Sequence, residues 1–160
     1  MKIILSDILN LQDTKDYVVF RYSQPVKPCV GCFGCWIKTP GKCIIKDSDS
    51  DFAIKMPYTK EVIVISELVF GGLSPNVKAV FDRSIGFILP FFRNINGEMH
   101  HVPRYKKRPN LRYMFYASTI TEAEKITAQK LIKANAINFG AEQYTVDFYS
   151  SHKELLEDLK

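Results

Sequence analysis

Four cysteines stand close together in this chain, as Cys29-x2-Cys32-x2-Cys35-x7-Cys43, and they are all the cysteines it has. Thiolates are soft ligands for zinc, iron and iron–sulfur clusters, and they are also the nucleophiles of thiol redox chemistry. A [4Fe–4S] cluster needs four thiolates from a compact shell, and C-x2-C-x2-C with a remote fourth cysteine supplies one. Gly31, Gly34 and Gly41 lie among the cysteines and let the backbone fold tightly around an inorganic core. Zinc sites more often use two Cys pairs separated by a dozen or more residues. Metal-free thiols, buried as small apolar groups or sensitive to peroxide, are the third reading. All three stay open on spacing alone.

Other reactive side chains are fewer. His100 and His101 are adjacent and could donate protons to a reduced substrate. A histidine pair in a loop is more often polar surface, and no residue is singled out as catalytic. Arg104, Lys106, Lys107, Arg108 and Arg112, with Tyr105 among them, carry much of the net charge of +5. They read as a phosphate contact for a nucleotide cofactor, an RNA patch or a solvated loop, and no stacking motif or helix-turn-helix supports nucleic acid.

The elements that must position these residues alternate between two periods. Lys2–Ser6, Tyr17–Tyr22, Glu61–Ser66, Leu111–Ala117 and Gln143–Tyr149 are rich in β-branched, aromatic and aliphatic residues and read as strands. Ser74 or Pro75 opens a helix carrying Val77, Val80, Phe81 and Ile85. Thr121 opens another, with Glu122 and Glu124 in its first turn and Gly140 as its stop. Ser151 caps a last helix over 152–159, and Asp49 or Ser50 begins a helical turn ending at Met56. Near-continuous apolar strands alternating with helices predict an α/β domain with a parallel sheet between helical layers. Its 160 residues fit a single domain, 1–160, with a cysteine-rich loop at 25–46 and a long insertion at 86–109. The insertion holds the apolar Phe87, Ile88, Leu89, Phe91 and Phe92, and Asn96-Gly97 is a hairpin turn signal. Nothing resembles a signal peptide or a membrane span, so a cytoplasmic protein without membrane or nucleic-acid partners is expected.

Two blocks together resemble the NAD(P)H-dependent FMN reductases of the flavodoxin superfamily, and among them the iron–sulfur flavoproteins. The first is Pro28-Cys29-Val30-Gly31-Cys32-Phe33-Gly34-Cys35-Trp36 with Gly41-Lys42-Cys43-Ile44-Ile45-Lys46-Asp47. The second is Val62-Ile63-Val64-Ile65-Ser66, Phe70-Gly71-Gly72-Leu73-Ser74 and Lys78-Ala79-Val80-Phe81-Asp82-Arg83. The resemblance implies a flavodoxin-like, doubly wound sheet of about five parallel strands in a three-layer α/β/α arrangement. It implies FMN as cofactor, a 4Fe–4S cluster on Cys29, Cys32, Cys35 and Cys43, and NAD(P)H as electron donor. The flavin ring would lie against Glu67, Leu68, Val69, Phe70, Gly71 and Gly72 and against Ser118, Thr119, Ile120 and Thr121. The expected activity is flavin-dependent oxidoreduction or electron transfer, with a small redox substrate or an electron-carrier protein as partner and a homo-oligomer as the assembly.

The segment between the first two strands departs from that pattern. Asp7–Asp16 is too short for a phosphate loop plus a full helix, so the first helix is expected to be shortened or missing. Asp7, Asp13 and Asp16 would repel a phosphate dianion. The alternative is therefore a degenerate flavodoxin-like protein without flavin, acting as an assembly partner or as a thiol or metal redox sensor.

Overall fold

A computed structural model describes residues 2–22, 25–47 and 51–159. Five strands form one sheet: β1 (Lys2–Ser6), β2 (Tyr17–Arg21), β3 (Glu61–Glu67), β6 (Asn110–Tyr116) and β7 (Tyr144–Tyr149). All neighbours are parallel, in the order β2-β1-β3-β6-β7, which is the flavodoxin-like order. The helices are α1 (Gly34–Ile37), α2 (Phe52–Lys55), α3 (Pro75–Arg83), α4 (Glu122–Phe139) and α5 (His152–Asp158). A separate antiparallel hairpin, β4 (Ile88–Ile95) and β5 (Glu98–Pro103), turns at Asn96-Gly97 inside the insertion. The helical turn expected from Asp49 or Ser50 is present from Phe52, and its proposed start lies outside the described residues.

Alternation along the strands sends side chains to two different cores. Ile3, Leu5, Val62, Val64, Leu111, Tyr113 and Phe115 meet Phe52, Val77, Phe81, Ile132 and Phe139 on the face covered by α2, α3 and α4. Ile4, Ile63, Ile65 and Met114 meet Leu155 on the opposite face. That second face carries no helix between β1 and β2. β1 and β2 are joined by Asp7–Asp16 without one, whereas a parallel crossover ordinarily takes a dozen or more residues and a helix. Ile8 and Leu11 of the connection, with Leu156 and Leu159 at the end of α5, pack there instead. Side chains of the connection hold it in place: Asp13 Oδ1 accepts from Val19 N–H at 2.9 Å, and Thr14 Oγ1 accepts from Tyr17 N–H at 3.2 Å.

The long helix α4 begins and ends as its sequence requires. Thr121 and Glu124 form a reciprocal capping box, and Gly140 closes the helix at φ 64°. Among the described residues no helix is long and apolar enough to cross a membrane.

Candidate functional site

The four cysteines line one hollow. Cys29, Cys32, Cys35 and Cys43 surround a cavity of about 50 Å³, walled by Val30, Phe33, Ile44, Ile45 and Ile85, and Arg83 is the charged group among its described lining residues. Cys29 and Cys32 are exposed, Cys43 is half-buried and Cys35 is buried. The short helix α1 turns Cys35 inward, and Gly41 N–H donates to Cys35 O at 2.9 Å. Gly34 is there because of space: a Cβ on it would lie 2.5 Å from Ile44 Cγ2. Burial pushes the Cys35 thiol up, and the neighbouring Cys43, Cys29 and Cys32 push it further.

The insertion forms the back of this loop. A Cβ on Gly86 would meet Cys35 Cβ and the Gly41 carbonyl carbon, each at 3.1 Å. Trp36 Nε1–H donates to Ile88 O at 2.8 Å and to Ile85 O at 3.2 Å. Arg104 Nε–H donates to Gly86 O at 2.7 Å. Trp36 stacks on Phe33, and His101 lies between Trp36 and Phe92, with ring centroids 5.5 and 4.6 Å away.

Arg83 ends α3 and is buried beside the sulfurs. Its two terminal nitrogens donate to Asp47 Oδ1 and Oδ2 at 2.6 and 2.7 Å. They also reach Lys27 O at 3.3 Å and Ile45 O at 3.4 Å. Burial pulls its pKa down, but the hydrogen bonds and charges of Asp47 and Cys43 outweigh burial and raise it. The sequence offered a faint signal for this pair: Asp47 follows Cys43 by four residues, and Arg83 ends the helix after the glycine turn.

The donor set is that of a thiolate-bound metal or cluster. Among the described residues, however, no group of three or more His, Cys, Asp or Glu side chains stands in an arrangement that could hold a metal ion.

The residues expected around a flavin ring come together elsewhere, at the carboxyl ends of β3 and β6. Val69 and Gly72 exchange backbone hydrogen bonds of 3.0 and 2.8 Å across Phe70-Gly71. Both turn residues have positive φ, 50° and 76°, and Phe70 is 93% exposed. A bulky residue held in this conformation with its ring in solvent is a strained, outward-facing group. Gly71 seats the turn on α4, where a Cβ would lie 2.8 Å from Thr127 Cβ. Ser118 and Thr119 are exposed, and Ile120 packs against the core. Thr121 is committed to capping α4: its Oγ1 donates to Glu124 Oε2 and accepts from Glu124 N–H.

The phosphate side of this crevice does not fit an anion. No helix N-terminus follows β1. Asp7 stands there, accepting from Glu67 N–H at 2.8 Å and Tyr116 O–H at 3.1 Å. Burial first, then Asp7 and Glu67, raise the Tyr116 pKa, so its hydroxyl remains a donor.

The two regions lie at opposite ends of α3. Ser74 immediately precedes its first residue and donates its N–H to Ser66 Oγ near the end of β3, while Arg83 at its last position lines the cysteine cavity. The nine residues of α3 rise about 13 Å.

The two histidines separate. His100 is buried on α4 with its Nδ1 2.9 Å from Asn138 Oδ1. His101 Nδ1 donates to Leu89 O at 2.7 Å. His101 and Cys29 line the same groove, with Asp82, Asn135 and Asn138, so His101 is the histidine that shares a surface with a cysteine. Of the apolar insertion, Phe87 and Ile88 are buried while Phe91 and Phe92 are exposed.

No family model matches this chain. Over 68 residues it is 40% identical to an iron–sulfur flavoprotein of Methanocaldococcus jannaschii. The match covers 40% of this chain and 34% of the relative, so the chain spans about a third of the curated protein it resembles.

Proposed function

We propose that this chain is an electron-transfer protein of the iron–sulfur flavoprotein kind, with Cys29, Cys32, Cys35 and Cys43 as the ligands of a [4Fe–4S] cluster. The observation that carries the reading is the convergence of all four thiols on one cavity with a buried cation in its wall. The partial likeness to a protein named for both groups agrees with it. Four thiolates around one zinc ion would have to sit about 3.8 Å apart, as 2.3 Å bonds at tetrahedral angles require. A multi-iron cluster holds its thiolates farther apart, so iron and sulfide content decides between the two. Such a cluster would accept and release single electrons. The chain's own part is to supply the thiolates, the apolar walls that exclude water and the Arg83 charge that offsets theirs. A small redox substrate or an electron-carrier protein is the fitting partner, and NAD(P)H or a reduced ferredoxin the fitting donor.

The other half of the reading concerns the flavin, for which the chain keeps the ring edge but not the phosphate site. Phe70, Gly71 and Ser118 present an aromatic ring, backbone and a hydroxyl at the edge where a flavin ring would lie. Asp7 argues against the phosphate that FMN brings and favours a flavodoxin-like protein working without resident FMN. Absorption spectroscopy of protein purified without oxygen, with iron, acid-labile sulfide and flavin assays, tests both halves. Broad visible absorption with about four irons and four sulfides per chain is expected. Iron-free, colourless protein after anaerobic reconstitution would refute the cluster, and stoichiometric FMN would refute the flavin-free half.

A further inference from the structure

We infer that Arg83, buried, and Asp47, half-buried, are a charge pair that sets the electrostatic environment of the cysteine site, with Arg83 as a positioning and charge-tuning residue for the sulfur of Cys43. The inference deepens the cluster reading, but its geometric basis does not depend on metal.

Three observations carry it. First, among the described residues Arg83 is the charged one in a wall otherwise made of thiols, aliphatic side chains, glycine and Phe33. In such surroundings a charge acts on its neighbours far more strongly than it would in water. Second, the guanidinium is fixed. Its side chain is 2% exposed, and Asp47 holds both terminal nitrogens in a fork. Lys27 O and Ile45 O accept from the same nitrogens, and Cys43 is a further hydrogen-bond partner. A lysine could supply the charge but not the fork. Third, the contacts bracket the cysteine segment. Lys27 precedes Cys29, and Ile45 and Asp47 follow Cys43, so one side chain ties both ends of the loop to the end of α3.

An unneutralised cation here would be costly to bury, and Asp47 removes that cost. The pair is nonetheless asymmetric towards the thiols. Arg83 lines the cavity with all four thiols and has Cys43 as a hydrogen-bond partner, while Asp47 is held on the guanidinium and shares only the neighbouring groove with Cys43. The cavity therefore feels a cation, tempered by a carboxylate outside it. Thiolates, and an anionic cluster whose charge grows on reduction, are stabilised by that arrangement.

Opposite substitutions separate tuning from scaffolding. In cluster-loaded protein, Arg83→Gln removes the cation and is expected to lower the reduction potential by spectroelectrochemical titration. Asp47→Asn removes the carboxylate and is expected to raise it, and Arg83→Lys should lie closer to wild type than Arg83→Gln. A structural role would move both single variants the same way; that result, or no shift in either, overturns the inference. A second arm needs no cluster. In metal-free protein, the readout is the ratio of Cys43 alkylation by anionic iodoacetate to that by neutral iodoacetamide, in which the thiolate fraction cancels and the local potential remains. Read by peptide mass spectrometry, this ratio is expected to fall about threefold in Arg83→Gln and to rise in Asp47→Asn. The exposed Cys29 serves as the internal reference. If a single variant does not fold, the double variant Arg83→Gln/Asp47→Asn, which removes both charges, takes its place. A lower ratio at Cys43 there supports the inference, and a wild-type ratio overturns it. If no cluster forms but the ratios diverge as stated, the cluster reading fails and the role of the pair stands.

Discussion

Asp7 and Glu67, sixty residues apart, are joined by a 2.8 Å hydrogen bond from the Glu67 backbone N–H to the Asp7 carboxylate. The bond spans the ends of two adjacent parallel strands, at the edge of the sheet where doubly wound folds hold their ligands. A backbone donor that could face a ligand oxygen is thereby taken by the protein's own carboxylate, and the Tyr116 hydroxyl is taken by the same group.

Removing that charge should admit a phosphate. Asp7→Asn keeps an acceptor for Glu67 N–H and loses the repulsion. FMN binding, followed by quenching of flavin fluorescence, is expected to tighten about tenfold or more, given a few kcal/mol between close charges at partly screened sites. Riboflavin, which has no phosphate, should bind equally to both proteins. Equal gains for the two flavins would show that Asp7 acts through shape.

Cys35 is the buried cysteine, and its loss should be the most damaging to a cluster. Cys35→Ser is expected to abolish most visible absorption and iron content after reconstitution while the far-ultraviolet circular dichroism stays unchanged. Unchanged colour would remove Cys35 from the ligand set.

Gly34→Ala places a methyl group 2.5 Å from Ile44 Cγ2. Overpacking of this kind costs about 1–3 kcal/mol, partly offset by the better helix propensity of alanine. A lower melting midpoint is expected, together with faster proteolysis within 27–47. A stability gain would mean that Ile44 moves aside freely.

The capping box gives a control remote from the cysteines. Thr121→Ala removes the acceptor for Glu124 N–H and the partner of the Glu124 carboxylate. A loss of about 1 kcal/mol in urea denaturation is expected, with reconstitution of the cysteine site unaffected.

A pH dependence resides in the latch of α5. Asp158 accepts from Tyr149 O–H and from Arg112, and the Tyr149 bond, with Arg112 adding to it, holds its pKa below the ordinary 3.8. A depressed carboxylate contributes stability that is present above its unfolded value and lost as pH falls through the folded one, so the latch loosens below about pH 3.8. Burial, and then Asp158, push Tyr149 up to about 12. Its proton is held more tightly in the fold, so that stabilisation is intact below pH 10 and fades from 10 to about 12. Hydrogen exchange of α5 amides should quicken at both extremes, and Asp158→Asn should remove the acid limb.

Much of the fold was legible because its signals are local. Val62-Ile63-Val64-Ile65 can be buried on both faces only in a covered strand, and Thr121, Glu124 and Gly140 announce a helix at both ends. The hairpin turn at Asn96-Gly97 was equally readable. The cysteines were legible as a group, and the structure gathers them around one cavity. The roles of Arg83, Trp36 and Asp7 were not, because each rests on a partner far along the chain. Arg83 meets Asp47 across 36 residues, and Trp36 meets Ile88 across 52. Residue type announces that such groups are polar but not whom they meet. For the same reason, adjacency made His100 and His101 look like a pair, while strand alternation sends one to α4 and the other to the groove beside Cys29.

The close approach of Gly86 to Cys35 Cβ and the Gly41 backbone, together with the two bonds from Trp36, bears on how such a module could be inherited or transplanted. The cysteine segment has no core of its own; it leans on the end of α3 and on the root of the hairpin. Moved alone into another sheet, residues 25–47 would leave behind Arg83, Ile85, Gly86 and Ile88, the groups that give the loop its shape. The unit of exchange is therefore discontinuous in sequence, two stretches some forty residues apart that are one object in space. A graft or a gene rearrangement that kept the cysteines and discarded the insertion would carry the motif without the site.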